Sequence, residues 1–311
     1  MGQASNDQQF QHLSQAQLAD WMHQIQLNAP HGTVPNYIPQ LAEADPDRFA
    51  VQIQLLDGKV HACGDIQSLV PLMSAVKPFL LLYLLEQLGP EEVFSVVGMQ
   101  PSELPYHSLI QLEADQNRPR NPMINSGAIA LADRLPGRDA ETRCQNLCEW
   151  LNQQSGSQWQ LDQTMLASVR SRPNPTNQTI GDRLQQAGCL ENRDMALDVY
   201  QQICCLSGTV TDLAASGLML ANAQFPQISA NHRRIVNFLM LTCGLYDASA
   251  KYAVEIGLPM KSSVSGLLLA IVPRQGVIAC YSPLLDPAGN SVAGLLLIQT
   301  IAQALNLNRF G

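Results

Sequence analysis

Strand-forming sequence is confined to the two ends of this 311-residue chain, and that distribution constrains its fold more than any other feature. Near the start, Phe49 through Leu56 and Lys59 through Cys63 are two β-type runs flanking the turn dipeptide Asp57 and Gly58, so the segment reads as a hairpin. Strand signals return only at Ser265 through Val272 and Val277 through Tyr281. From about Pro105 to Leu258 almost every periodic segment is helical, with breaks at Pro119 to Pro122, at Pro136 and Gly137, at the loop Arg172 to Gln178 and at Gly188. A last helix covers Val292 to Leu305. The Gln-rich first 28 residues carry Leu13, Leu18, Trp21, Met22 and Ile25 at helical spacing, which predicts an amphipathic helix. Strands at both ends, each pair joined by a short turn, are reconciled if they share one antiparallel sheet. The expected architecture is therefore α/β of the α+β kind. An antiparallel sheet of N- and C-terminal strands is flanked by helices, and a large helical insertion stands over one edge. A single domain spans 1–311, with a sheet subdomain of about residues 30–72 and 259–311 and a helical subdomain of about residues 73–258.

Composition excludes several function classes. Hydrophobic residues make up 46% of the chain, ample for a packed core, while a formal charge of −8 leaves no basic footprint for nucleic acid. The apolar runs are too short to cross a bilayer. The N-terminus, Met1 to Asp7, lacks the charged-then-apolar pattern of a signal segment, so a cytoplasmic protein is expected. Eight cysteines (Cys63, Cys144, Cys148, Cys189, Cys204, Cys205, Cys243 and Cys280) lie scattered in apolar stretches without a Cys-x-x-Cys pair. With the six histidines dispersed, buried free thiols are expected, and neither a metal site nor any cofactor is.

Chemistry is concentrated first in Pro71-Leu-Met-Ser-Ala-Val-Lys77. Ser74 and Lys77 are three positions apart and share one helix face, so a hydroxyl can meet an amine there. The chain has only four lysines (Lys59, Lys77, Lys251 and Lys261), and only Lys77 has a serine three positions before it. Pro78 is tolerated only in a first turn, which places Ser74 at a helix start, where free amides favour an oxyanion. The apolar run Phe79 to Leu85 would bury Lys77 and disfavour its charged form, as a base requires. A solvated helix face bearing both residues by chance is the bland alternative.

Other segments carry two readings each. Arg120 to Ile129 combines Asn121 and Asn125 with Gly127 and Ala128, and reads either as a loop approaching a ligand or as an Asn-rich cap opening a helix. Tyr246, in Thr242 to Asp247, and Lys261, in Gly257 to Val264, either serve a site or are a packed tyrosine and a surface lysine.

Taken together, these segments resemble the serine-dependent glutaminase family, whose fold is that of β-lactamases and penicillin-binding enzymes. The match begins at Tyr37-Ile-Pro-Gln-Leu-Ala42 and takes in Gly64-Asp65, Pro119 to Ala128, Thr242 to Asp247, Gly257 to Val264 and Ser282 to Ser291. The resemblance implies one glutaminase-like catalytic domain with Ser74 as nucleophile, Lys77 sharing its proton and Tyr246 assisting the transfer. It further implies that Tyr37 lines the pocket, that Asn125, Asn177 and Tyr200 hold the substrate's amino-acid end, and that Val264 offers its backbone amide to the oxyanion. Lys261 supports the site as a second cation that depresses the pKa of Lys77.

The family's Ser-Glu dipeptide, which supplies a carboxylate for the substrate's α-ammonium, is matched here by Ser168-Val169. The loop after it, to Asn177, is one residue longer than usual. Ser263 and Ser265 replace glycines and are expected to narrow the pocket. The expected function is hydrolysis of glutamine to glutamate and ammonia through an acyl-enzyme. The rivals are a serine amidohydrolase acting on a different amide, one that lacks a free α-amino group or carries extra negative charge to suit Val169 with Arg170 and Arg172 close by, and a catalytically silent relative that binds a metabolite or partner. A homo-oligomer, dimer or tetramer, is the family expectation.

Overall fold

A computed structural model describes residues 10–172 and 174–308. The N-terminal stretch Met1 to Asp7 read for a signal segment lies outside these residues, as does Pro173 of the Arg172 to Gln178 loop. Eight strands form two antiparallel sheets. β1 (Ala50–Leu55), β2 (Val60–Gly64), β6 (Met260–Ser262), β7 (Leu267–Val272) and β8 (Gly276–Tyr281) make a five-stranded sheet in the order β2-β1-β8-β7-β6. The hairpin turns where expected: Gly58 takes φ +91°, which a side chain would resist, and Asp57 Oδ1 accepts from the Lys59 amide.

The register Val51↔Cys280 and Leu268↔Cys280 stitches the two chain ends side by side. Every residue of β7 and β8 is buried, which is why both read as continuous apolar runs. Alternation divides them between two cores. Leu267, Leu269, Ile271 and Val277 join the helical side, whereas Leu268, Ala270, Ile278 and Val51 meet a second cluster with Phe10, Leu18, Met22, Leu295 and Ile298. The helices Gln15–Asn28 and Val292–Ala304 cover that second face.

Three expectations need correction. The helical segment does not merely stand over an edge, because the helix Val210–Ala221 lies across the opposite face of the sheet, against β8, β7 and β1. An apolar face lined by Leu267, Leu269 and Val277 has to be covered. Nor is the middle free of strands. A three-stranded sheet of β3 (Val70–Pro71), β5 (Leu206–Gly208) and β4 (Gln160–Leu161), in that order, joins the region before Ser74 to the helical part. The loop at 172–178 is also shorter than expected: a helix runs Gln163–Ser171, and the next, Pro175–Gln186, begins at once, its Asn174 cap accepting from the Asn177 amide. No helix among the described residues is long and apolar enough to cross a membrane.

Candidate active site

β3 delivers the serine. The Leu72 amide donates to the Leu206 carbonyl at 2.7 Å, and Met73 then turns with φ +45°, a conformation L residues seldom hold. A 3-10 turn, Met73–Val76, feeds the helix Lys77–Val96, whose first turn contains Pro78. The turn buries both side chains, Ser74 at 5% exposure and Lys77 at zero.

Lys77 Nζ donates to Asn125 Oδ1 at 2.8 Å and to the Met123 carbonyl at 3.4 Å. No carboxylate reaches it among the described residues, so burial pulls its pKa down to about 8. Asn125 opens the helix Asn125–Ala132, fixed by its own amide on the Tyr106 carbonyl at 3.0 Å. Its Oδ1 also accepts from the Tyr200 hydroxyl at 3.1 Å, and its Nδ2 donates to Asn177 Oδ1 at 3.0 Å. Asn121, by contrast, is a structural cap: its Oδ1 accepts from the Met123 amide and its Nδ2 reaches the Gln100 carbonyl. Gly127 lets this helix approach the Asn121 carbonyl, which a Cβ would strike. Gly127→Ala is expected to lower stability by about 1–3 kcal/mol, measured by urea unfolding; an unchanged midpoint would contradict the close fit.

Tyr246 also sits at positive φ, +60°, in a 3-10 turn. Two non-glycine residues strained in this way flank one site, where such conformations accumulate. The Tyr246 hydroxyl lies beside the Ser74 side chain and donates to the Ser262 carbonyl at 3.2 Å. Burial raises its pKa. Lys261 on β6 is fully buried, which rules out the surface-lysine reading. Its Nζ lies 4.3 Å from the Tyr246 ring centroid and donates to the Ser262 carbonyl at 2.6 Å. Burial, and then the neighbouring Lys77, hold its pKa well below the usual lysine range. No hydrogen bond joins Ser74 to Lys77 among the described residues; the serine lies beside Tyr246 instead. The backbone amides of Ser74 and Val264 donate to no acceptor among the described residues, so both are free for an anion.

These groups face a cleft of about 360 Å³. Tyr37, Ser74, Asn125, Asn177, Tyr200 and Val264 all line it, as does Val169. Arg172, one of the two arginines noted after Val169, also lines it, as do Tyr106 and Cys204, which the sequence reading missed. Tyr106 lies beside Tyr37 and packs at a tilt against Tyr246, with ring centroids 4.5 Å apart. Pro105 before it marks a loop and nothing more. The Cys204 thiol is held against Tyr200, and its burial raises its pKa to about 11. Ser263 and Ser265 do not narrow the cleft. Ser263 Oγ donates to the Leu72 carbonyl and meets Ser265 Oγ at 2.8 Å, so both hydroxyls brace the strand leading to Ser74. A second cavity of about 470 Å³ shares Tyr37, Tyr106 and Val264 and adds Asp247, Asp286 and His107.

A buried serine and lysine at a helix start, beside an antiparallel sheet, define a β-lactamase-like hydrolase. The model of the glutaminase family matches residues 32–310, and the chain belongs to that family. It is 42% identical to the glutaminase of Synechocystis sp. over 96% of this chain and 92% of that protein. Against the glutaminase of Geobacillus thermodenitrificans the figure is 33%, over 94% and 98%. Among solved structures, the probable glutaminase ybaS superposes with a TM-score of 0.89 at 32% identity, covering 96% of this chain and 99% of that one. The covalent complex between the Bacillus subtilis glutaminase YbgJ and 5-oxo-L-norleucine gives 0.85 at 29% identity, covering 95% and 99%.

Proposed function

We propose that the protein hydrolyses L-glutamine to L-glutamate and ammonia through an acyl-enzyme on Ser74. The observation that carries this reading is Ser74 in the turn before a helix, with its own amide and that of Val264 free, Tyr246 beside it and a buried lysine without a counterion behind the turn. Ser74 Oγ adds to the side-chain amide carbon, and the amides of Ser74 and Val264 receive the charge that gathers on its oxygen. The serine proton passes through Tyr246 and Lys77 to the departing nitrogen, which leaves as ammonia. Water then repeats the sequence to release glutamate. Asn125, Asn177 and Tyr200 hold the amino-acid end, with Tyr37 closing over it, and burial, rather than the expected Lys261, keeps Lys77 from holding its proton too tightly. The 5-oxo-L-norleucine adduct of the Bacillus subtilis neighbour supports a covalent route. The comparisons favour neither a different amide nor a silent binding role. Cytoplasmic location and a homo-oligomer, dimer or tetramer, go with this reading, and light scattering on the purified protein measures the latter.

Two tests apply. Incubation with 6-diazo-5-oxo-L-norleucine is expected to label the peptide containing Ser74, read by mass spectrometry, and labelling elsewhere would contradict the assignment. The pH profile gives the second. Lys77 must be neutral to accept the serine proton, and its pKa is about 8. Accordingly kcat/KM for glutamine should rise about tenfold per pH unit below pH 8 and level off above it. A profile flat from pH 6 to about 9 would remove Lys77 as the base.

A further inference from the structure

No aspartate or glutamate lines the reactive cleft among the described residues. Of the residues that line it, Arg172 alone carries a formal charge, and it stands exposed at the rim with no carboxylate partner among the described residues. The acids nearby are otherwise engaged or placed. Asp198 is paired with Arg170, while Asp247 and Asp286 line the second cavity, on the far side of the Tyr37 to Tyr106 contact. In the reactive cleft, Ile38 and Val169, both half-buried, supply an apolar corner. The Gln40 amide on Ser168 Oγ at 3.0 Å holds the Ile38 segment against the helix that carries Val169.

Such a cleft discriminates between the two charges of an amino acid. A carboxylate meets a guanidinium and several amide and hydroxyl donors. An α-ammonium meets no anion and a guanidinium of its own sign, and a sheltered charge without a partner is costly. Acylation removes that charge and adds apolar surface where Ile38 and Val169 can cover it. We propose that the cleft takes glutamine whose α-nitrogen is acylated, with the α-carboxylate and side-chain amide free, in preference to free glutamine. This rests on the glutaminase reading of the site and names its substrate class. An N-acylamino acid and a short peptide ending in glutamine share the chemistry.

The experiment compares ammonia release from L-glutamine, N-acetyl-L-glutamine and glycyl-L-glutamine, on wild type and on Val169→Glu. For wild type, kcat/KM for at least one acylated substrate should equal or exceed that for glutamine; a value below glutamine's for both would overturn the proposal. The two acylated substrates distinguish a small acyl group from a peptide. Val169→Glu should lower the ratio of acylated to free glutamine at least about tenfold, equivalent to roughly 1.4 kcal/mol of ion pairing. A smaller change would overturn the role given to position 169. The wild-type comparison stands even if the variant fails to fold. Ammonia from none of the three substrates would instead remove the glutaminase reading and the proposal with it, whereas brisk turnover of glutamine alone would leave that reading intact and remove only the proposal.

Discussion

Ser74→Ala is expected to reduce ammonia release from glutamine by on the order of 10⁵-fold while leaving the unfolding midpoint near that of wild type. The hydroxyl is the group that would bond to the amide carbon, and nothing else in the cleft replaces it. Cys204 lines the same cleft, but its thiol is held protonated, with a pKa of about 11. The stability side of the expectation follows from the surroundings. Ser74 occupies a 3-10 turn braced by the Leu72 and Ser263 bonds, and alanine fits that turn. The substitution leaves the Tyr246 hydroxyl its bond to the Ser262 carbonyl. Retained hydrolysis in a folded variant would end the serine mechanism.

Lys77→Arg is expected to lower kcat/KM by about 10²- to 10⁴-fold and to abolish the rise toward pH 8. Arginine keeps the charge but does not release a proton at these pH values. The site accommodates an amine of one particular kind: a single Nζ bonded to Asn125 Oδ1 and the Met123 carbonyl, with the rings of Tyr200 and Tyr106 about it. A planar fork would push Asn125 from Tyr200 and Asn177, so a rise in KM should accompany the fall in kcat. Activity within a few-fold of wild type would make Lys77 structural and place the base elsewhere.

The sheet was legible because β7 and β8, buried on both faces, leave unbroken apolar runs, and because Asp57 and Gly58 mark the turn of the first hairpin chemically. The β3-β5-β4 sheet was not, since strands of two and three residues are too short to show any period. Its existence depends on pairing across the helical region. The same distinction holds in the site. Ser74 and Lys77 are three positions apart, and local spacing reveals them. Tyr106 matters through its packing with Tyr37 and Tyr246, and no local pattern records that. Lys261 carried two readings until the packing around β6 placed its amine over the Tyr246 ring. Asn121 and Asn125 looked alike in sequence; which one faces the cleft was decided by where their loop joins the helix.

The pairing of β1 with β8 has a consequence for biosynthesis. Ala50 lies opposite Tyr281, so the hairpin made early in translation has no neighbour until almost the whole chain has been synthesised. At ~5–20 residues per second, that edge of β1 is unpaired for about 10 to 40 s on the ribosome. Gln52 and Gln54 fall on this strand, and they interrupt what would otherwise be a bare apolar template for another nascent chain. Once the native sheet closes, Gln52 turns to Thr211 at 2.6 Å. A residue that finishes as a buried hydrogen-bond partner thus begins as a safeguard against premature association.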